Sequence, residues 1–162
     1  MRRLFLFCGG LLVLWSFFMA TAAVAWEGVA TKVLDGDTIL VRSERGTVTI
    51  RLYGIDCPEY GQPYWQEAKG AVQGMVQGKK VRIESLDTDQ YGRTVALVGV
   101  RGGLVNVELV RRGLAWVYTH YCTQQPFCRS LHEIEDAART NRVGLWRESK
   151  PTSPWVWKHS RR

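Results

Sequence analysis

The stretch Arg51-Leu52-Tyr53-Gly54-Ile55-Asp56-Cys57-Pro58-Glu59 decides how the rest of this 162-residue chain is interpreted. Apolar and polar residues alternate over residues 47–55, which predicts a β-strand. The alternation stops at Asp56, and Pro58 removes a backbone donor, so the strand is expected to end there. Asp56 and Glu59 are therefore predicted to lie where a rigid strand opens into a loop.

These residues have the chemistry that hydrolysis of a phosphodiester requires. Asp56 offers an oxygen ligand to a hard cation, Glu59 is a candidate general base, and Arg51 is a planar clamp for phosphate. Aspartate and proline also end strands for reasons of turn geometry. The stretch by itself therefore leaves a purely structural role open.

The first 25 residues have the pattern of a secretory signal peptide. Two arginines precede an apolar run over residues 4–19, and the small residues Ala23-Val24-Ala25 follow. We predict cleavage after Ala25, which makes the mature protein secreted or periplasmic and leaves it without stable membrane association. The alternative is an uncleaved anchor in the inner membrane, because residues 4–25 are about long enough to span a bilayer.

The chain carries an excess of basic residues. Its formal net charge is +7, and removal of the two signal-peptide arginines leaves 20 Lys and Arg against 15 Asp and Glu, a net charge of +5. A small basic domain suits a polyanionic partner, since Lys and Arg on phosphate release counterions and steer encounter. Mild basicity also serves solubility alone, so the charge leaves both interpretations open.

Three cysteines remain after Cys8 leaves with the signal peptide. An odd number outside the cytoplasm predicts one disulfide and one free thiol. Cys122 and Cys128 flank a short loop that contains a proline, so we predict that they pair and that Cys57 stays free. The cysteines lack C-x-x-C spacing and the three histidines are scattered, which argues against a zinc site.

The remaining pattern predicts a domain of the α+β class that is mainly β. Strand patterns lie at residues 31–34, 38–41, 47–55, 81–86 and 93–100. Helical periodicity covers residues 63–78 and 104–110, and a capping box at residues 130–133 begins a third helix. Five short strands with helices between and after them predict a small closed or partly open barrel.

Three regions follow from this pattern. A signal peptide covers residues 1–25, one domain covers residues 26–148, and a basic, aromatic tail covers residues 149–162. The tail shows no periodicity. Its tryptophans, Trp155 and Trp157, are expected either to dock on the barrel or to contact nucleic acid.

Four motifs in order resemble the staphylococcal nuclease (thermonuclease) family, and the resemblance covers residues 29–146. The motifs are Asp35-Gly36-Asp37-Thr38, then Arg51 with Asp56-Cys57-Pro58-Glu59, then Asp89-Gln90-Tyr91-Gly92-Arg93, then Val105-Asn106 through to Gly113-Leu114-Ala115. The resemblance implies an OB-fold barrel of five strands with three helices. It also implies Ca²⁺-dependent hydrolysis of DNA and RNA that leaves 3′-phosphate ends, with the endonuclease or exonuclease mode left open.

The resemblance places the family's calcium ligands on the carboxylates of Asp37 and Asp56 and on the backbone carbonyl of Cys57. Cysteine replaces the commoner threonine at position 57, but a backbone ligand does not need a particular side chain. Ca²⁺ prefers several oxygen ligands and tolerates irregular geometry, so this set suffices if water and substrate phosphate complete it. Asp35 is expected to be a turn residue only.

The family's catalytic residues fall on Glu59, Arg51 and Arg93. Glu59 is expected to orient or deprotonate the attacking water. The two arginines offer forked donors to the charge that grows on the phosphoryl oxygens, a role that lysine would fill poorly.

Aromatic side chains are expected to contact the nucleotide. Tyr91 matches a residue near the phosphate, although Gln90 stands where the family has a basic residue. Tyr121 matches one of two base-stacking tyrosines, whereas Thr119 stands at the other, and Tyr118 is a candidate to replace it. Stacking on a base tolerates different sequences, so either arrangement predicts low specificity.

Two functions remain as alternatives. The first is a secreted, monomeric Ca²⁺-dependent nuclease that acts on DNA and RNA. The second is a non-catalytic module of the same fold that binds nucleic acid or protein without cutting it. Such modules usually lose the carboxylates, whereas Asp37, Asp56 and Glu59 are all present here, and this favours the enzyme.

Overall fold

The computed structural model describes residues 25–160. The predicted signal peptide, except for Ala25, and the last two residues of the tail lie outside this range. No helix within residues 25–160 is both long enough and apolar enough to cross a membrane.

Five long strands form a closed barrel, which confirms the predicted α+β class and barrel architecture. The barrel strands are β1 (Ala25–Val33), β2 (Thr38–Ser43), β3 (Gly46–Leu52), β5 (Lys80–Thr88) and β6 (Thr94–Val100), and three two-residue strands lie outside them, β4 (Ile55–Asp56), β7 (Gly103–Leu104) and β8 (Trp116–Val117). Antiparallel neighbours follow the order β3-β2-β1-β5-β6, and parallel pairing of β3 with β6 closes the barrel. Arg51 faces Val95 in this closing pair, so its backbone belongs to the most constrained part of the sheet.

Two strand predictions need correction at their ends. β1 begins at Ala25, six residues before the predicted start, because residues 25–29 pair with β5. The third strand was predicted to run to Ile55, but β3 ends at Leu52, and Gly54 then adopts a left-handed φ of 76°. A Cβ at position 54 would lie 2.8 Å from Sγ of Cys122, so the turn leaves room only for glycine.

The turn at Gly54 moves the chain out of the barrel sheet and into a second pairing. β4 pairs with β8, and Asp56 is opposite Trp116. The end of the site stretch is therefore held by a segment sixty residues further along the chain. This pairing, and not the end of β3, determines where Asp56 lies.

Within the described residues 25–160, four α-helices pack around the barrel, one more than predicted. They are α1 (Trp65–Val76), α2 (Val105–Arg111), α3 (Phe127–Thr140) and α4 (Pro154–Ser160), and a 3-10 turn covers Gly144–Arg147. The extra helix, α4, lies in the tail that showed no periodicity, because seven residues are too few for a helical pattern to be recognised. Pro154 at its first position is favourable because proline has the φ of a helix and no N–H to leave unsatisfied.

The capping box predicted for the last helix is wrong. α3 begins at Phe127, three residues before Ser130, and its first turn is capped by Oε1 of Gln125, which accepts from the N–H of Arg129 at 3.3 Å. The helix starts earlier because backbone N–H groups of Cys128 and Ser130 already donate to the carbonyls of Gln124 and Pro126, at 2.9 and 3.2 Å.

The barrel interior is filled by branched aliphatic side chains, which contribute about 1.5–3 kcal/mol each when fully buried. The largest fully buried side chains include Ile39, Ile50, Leu52, Ile83 and Val98. A single amide crosses this apolar interior: Asn106 accepts from the N–H of Val98 at 3.1 Å and donates to the carbonyl of Tyr53 at 3.0 Å. The start of α2 is thereby tied to the turn at Tyr53 and Gly54 within the site stretch.

Candidate active site

Arg51 joins the two predicted metal carboxylates at one end of the barrel. Its Nη2 donates to Oδ1 of Asp56 at 2.7 Å and to the carbonyl of Ile55 at 3.1 Å, and its Nη1 forms an ion pair with Oδ1 of Asp37. The side chains of Asp56 and Asp37 are only 1% and 9% exposed. Buried carboxylates are costly unless a cation compensates them, and Arg51 balances one of the two negative charges of this pair.

Asp37 is oriented by the turn between β1 and β2 and by the site stretch itself. Its N–H donates to Oδ1 of Asp35 at 3.0 Å, which makes Asp35 a turn residue, and its Oδ2 accepts from the N–H of Cys57 at 2.8 Å. The hydroxyl of Thr38 donates to its Oδ1 at 3.2 Å. Asp37 therefore holds the backbone of Cys57 close to both carboxylates.

Cys57 is a buried free thiol that closes the packing beneath the carboxylates. Its Sγ donates to the carbonyl of Gly36 at 3.1 Å, and a Cβ at position 36 would lie 2.7 Å from Cβ of Cys57. Burial raises the pKa of this thiol well above its ordinary value, although the charge of Arg51 opposes the change. The side chain is therefore a packing element, and its backbone remains available to the site.

Glu59 is the most accessible of the carboxylates in this group. Its N–H donates to Oε1 of Gln62 at 2.9 Å, and its Oε1 lies 2.8 Å from Nζ of Lys158. The same ammonium is 3.7 Å from Oδ1 of Asp56. The sequence carried no signal for Lys158 or Gln62, because one lies in the aperiodic tail and the other in an ordinary polar loop.

Arg93 lies outside this group. Its Nε pairs with Oδ2 of Asp89 at 2.7 Å, and its guanidinium lies 5.5 Å from the ring centre of Tyr91. Within residues 25–160 it makes no ion pair with the carboxylates around Arg51. Tyr91 is 74% exposed. The predicted catalytic residue Arg93 and the predicted nucleotide contact Tyr91 thus lie together on the turn before β6.

The two remaining predicted nucleotide contacts, Tyr118 and Tyr121, lie together near the end of β8. Their ring centres are 4.8 Å apart in an edge arrangement, and Trp155 of α4 stacks on Tyr118 with the planes 7° apart. Burial is the main cause that raises the pKa of Tyr118, and the negative charge of Asp56 adds to it. Trp155 therefore packs on the domain, which was one of the two predictions for the tail.

A disulfide links Cys122 to Cys128 in the loop that follows these tyrosines. The hydroxyl of Tyr53 accepts from the N–H groups of Thr123 and Gln124, both at 2.9 Å. The buried Tyr53 side chain thus connects the cysteine loop to the turn that begins the site stretch. Tyr121, just before the loop, remains 60% exposed.

Comparison with known proteins identifies the relatives of this arrangement. The family model described as "Staphylococcal nuclease homologue" matches residues 49–148. The chain belongs to the staphylococcal nuclease family. An "Uncharacterized endonuclease" of Escherichia coli O157:H7 is 38% identical over 149 residues, which are 91% of this chain and 95% of the relative.

Two further relatives carry names of the same kind. A "Micrococcal nuclease" of Shigella flexneri is 33% identical over 148 residues, with 84% of each chain covered. A "Probable staphylococcal-like nuclease CAN1" of Oryza sativa subsp. japonica is 40% identical over 127 residues, 78% of this chain but 36% of the relative. Together these comparisons support a nuclease function of the staphylococcal type.

The residues at the end of the barrel fit a hard cation of the kind that the staphylococcal nuclease family generally uses. Oδ2 of Asp56 is buried and accepts no hydrogen bond, and the adjacent Nη1 of Arg51 also lacks a hydrogen bond, although it forms the ion pair with Asp37. With a carboxylate oxygen of Asp37 and the carbonyl of Cys57, it completes an all-oxygen set, which suits Ca²⁺. Within residues 25–160 no three His, Cys, Asp or Glu side chains form a metal cluster, so water or substrate would have to complete the shell.

Proposed function

We propose that this protein is a secreted, monomeric Ca²⁺-dependent nuclease that hydrolyses phosphodiester bonds of DNA and RNA and leaves 3′-phosphate ends. One observation carries the proposal. Arg51 holds two buried carboxylates at the mouth of the barrel while Oδ2 of Asp56 stays unpartnered, with the accessible carboxylate of Glu59 beside them. A structural ion pair would not need an orphaned buried oxygen, since such an atom costs free energy.

Asp37, Asp56 and the carbonyl of Cys57 would hold the cation. When bound, Ca²⁺ supplies Lewis-acid polarisation of a phosphoryl oxygen and stabilises the charge that develops on it. The chain's own residues determine where the phosphate lies. Arg51 donates from a rigid strand, and its planar fork matches two phosphoryl oxygens.

Glu59 has the accessibility that a general base requires. Its carboxylate is at the protein surface and its backbone is fixed by Gln62, so it can accept a proton from water on the exposed side of the phosphate. Arg93, two residues before the Val95 that pairs with Arg51, would be the second arginine on the phosphate, and Tyr91 beside it would contact the nucleotide. Tyr121, which is 60% exposed, offers an aromatic face to a base, whereas Trp155 already covers one face of Tyr118.

The N-terminal pattern supports the proposed location. Two arginines, an apolar run over residues 4–19 and small residues up to Ala25 describe a cleaved export signal. A protein released in this way would meet nucleic acid outside the cytoplasm, where Cys122 and Cys128 can stay oxidised.

The nuclease is tested by cleavage of single-stranded DNA, double-stranded DNA and RNA by the purified protein, with Ca²⁺ and then with a chelator. We expect cleavage only with Ca²⁺, and a loss of about 10²–10⁴-fold in kcat for Glu59→Gln. Glu133→Gln, which removes an exposed carboxylate from α3, is the matched control and should cleave normally. Nucleic acid that is bound but uncut under every condition would favour the binding module instead.

The metal site is tested without catalysis, through the Ca²⁺-dependence of thermal unfolding. A ligand present at a hundred times its Kd stabilises the native state by about 2.7 kcal/mol, so the unfolding midpoint should rise with Ca²⁺. Asp56→Asn should abolish this rise, whereas Asp136→Asn, an exposed carboxylate on α3, should keep it. An unchanged Ca²⁺ response in Asp56→Asn would rule out the proposed ligand.

A further inference from the structure

The C-terminal helix α4 reaches the site although it lies outside the region that the family model matches. That match ends at residue 148, and α4 begins at Pro154. From α4, Lys158 extends to the carboxylates, with Nζ 2.8 Å from Oε1 of Glu59 and 3.7 Å from Oδ1 of Asp56. A segment outside the matched region thus touches the proposed general base directly.

Several contacts hold α4 in this position. Trp155 stacks on Tyr118 at a centroid distance of 4.9 Å and meets Trp116 edge-on at 5.7 Å. The loop that carries Glu59 is linked to the same segment, because Nε2 of Gln62 donates to the carbonyl of Thr152 at 2.7 Å. α4 is therefore fastened on two sides of Glu59, by the aromatic residues and by Gln62.

Gln62 fixes the backbone of Glu59 and the start of the α4 segment at once. Its Oε1 accepts from the N–H of Glu59 at 2.9 Å while its Nε2 donates to Thr152. The side chain of Gln62 is buried, and both bonds are partly shielded from water. A displacement of α4 would therefore also displace the backbone of Glu59.

The charges around Glu59 explain what Lys158 does there. Asp56 carries a negative charge nearby, which repels the carboxylate of Glu59 towards solvent. The ammonium of Lys158 faces both carboxylates and attracts Glu59 towards the buried one. Both members of the Lys158–Glu59 pair are exposed by a third or more, so the pair adds little to stability, and its consequence should appear in the geometry of the site.

We propose that Lys158 is a positioning residue of the active site. α4 places Lys158 beside Glu59, and the ammonium of Lys158 holds the carboxylate of Glu59 in the position that catalysis needs. This inference rests on the proposed nuclease function. Lys158 acts through Glu59 and takes no part in proton transfer. Because a displacement of about 1 Å of a catalytic group can cost about 10²-fold in rate, loss of this contact should lower kcat and leave KM nearly unchanged.

The test compares steady-state cleavage of a single-stranded oligonucleotide by the purified protein and by Lys158→Met. We expect kcat to fall about 10- to 100-fold with KM within about twofold of the unaltered protein. Lys158→Arg should recover much of the rate, since its guanidinium can reach the same carboxylates. Lys150→Met is the matched control, because it removes the same charge from the same tail, and it should cleave normally.

A second variant tests the anchoring of α4. Trp155→Ala should lower kcat through the same contact, so the double variant Trp155→Ala, Lys158→Met should be about as slow as the slower single variant and not additive. If the losses in kcat of the two single variants add in the double variant, Trp155 and Lys158 act independently, which would overturn the proposed coupling.

Other outcomes would also overturn the inference, and they differ from failure of the nuclease proposal. If the unaltered protein cleaves and Lys158→Met matches Lys150→Met, Lys158 has no role at Glu59. A raised KM with unchanged kcat would make Lys158 a substrate contact, and a raised kcat would make α4 an inhibitory cover. If the unaltered protein does not cleave with Ca²⁺, the nuclease proposal fails and the inference fails with it.

Discussion

Trp155 and Tyr118 are stacked face to face, with ring centres 4.9 Å apart and planes inclined by 7°. This contact joins the last helix to the strand end that pairs with Asp56. Aromatic pairs contribute beyond the area that they bury, and a stacked pair fixes orientation as well as distance. The tail is thus part of the folded domain and of the surface next to the site.

Removal of this stack should destabilise the protein moderately. Trp155 is half-buried, so Trp155→Ala is expected to lower the free energy of unfolding by about 1–3 kcal/mol. Urea unfolding followed by circular dichroism measures the change, and Trp155→Phe should lose less because it keeps a ring on Tyr118. An unaltered midpoint in Trp155→Ala would show that the stack does not hold α4.

Arg51 should contribute to stability as well as to catalysis. Arg51→Ala removes the cation that pairs with both buried carboxylates and leaves only the more distant ammonium of Lys158 near Asp56, which should cost about 3–5 kcal/mol in the absence of metal. Ca²⁺ should restore part of this loss, because a bound cation replaces the missing charge. Arg51→Lys keeps the charge but loses the forked guanidinium, so its free energy of unfolding should lie between those of the unaltered protein and Arg51→Ala.

The same unfolding experiments, with and without Ca²⁺, separate the two roles of Arg51. If Arg51→Ala were as stable as the unaltered protein without metal, the two carboxylates would not share a charge-compensating partner. If Ca²⁺ stabilised the unaltered protein and Arg51→Ala equally, bound Ca²⁺ would not be replacing the missing charge of Arg51.

Asp89 should give a pH-dependent contribution to stability. Burial opposes its ionisation, but the hydrogen bonds from Arg93 and Tyr91 hold the pKa of this carboxyl below its ordinary value. A depressed pKa stabilises the native state above the unfolded pKa of about 3.9, and this contribution is lost as pH falls through the folded pKa. The difference in unfolding free energy between the protein and Asp89→Asn should therefore be constant from about pH 5 to 7 and shrink below about pH 4.

Urea unfolding at a series of pH values measures this difference, with Asp136→Asn as the exposed control. The control should show little dependence on pH. A difference for Asp89→Asn that grows as the solution becomes acidic would have the wrong sign and would exclude a depressed pKa.

The thiol of Cys57 should not react with thiol reagents in the folded protein. Its burial raises the pKa of the thiol, and thiolate is the reactive form, so a thiol reagent at pH near 8 should not label it. In a Cys8→Ser background, one equivalent should appear only after unfolding in guanidinium without reductant. Rapid labelling of the native protein would show that the packing against Gly36 opens in solution.

Local sequence patterns predicted most of the barrel correctly. Alternation of apolar and polar residues predicted the strands, because each strand has one face in the core. The turn motif Asp35-Gly36-Asp37 predicted the first hairpin. The order of motifs also placed Asp37, Arg51 and Asp56 together, since consecutive hairpins bring neighbouring strands into register. Their roles in a reaction remain predictions.

Two of the errors have causes that lie outside the local pattern. The third strand was predicted to continue to Ile55 because its residues remain apolar, but Gly54 turns the chain towards β8. The helix in the tail was missed because its stability comes from Trp155 on Tyr118 and not from its own seven residues.

The sequence by itself determined the strands, the first three helices in outline and the set of residues with phosphodiester chemistry. Only the tertiary structure decided that Asp56 pairs across to β8, that Arg93 stays with Asp89, and that Lys158 lies against Glu59. Periodicity reports which face of a local element is buried. The partner that covers that face depends on contacts between distant parts of the chain, and no local pattern encodes them.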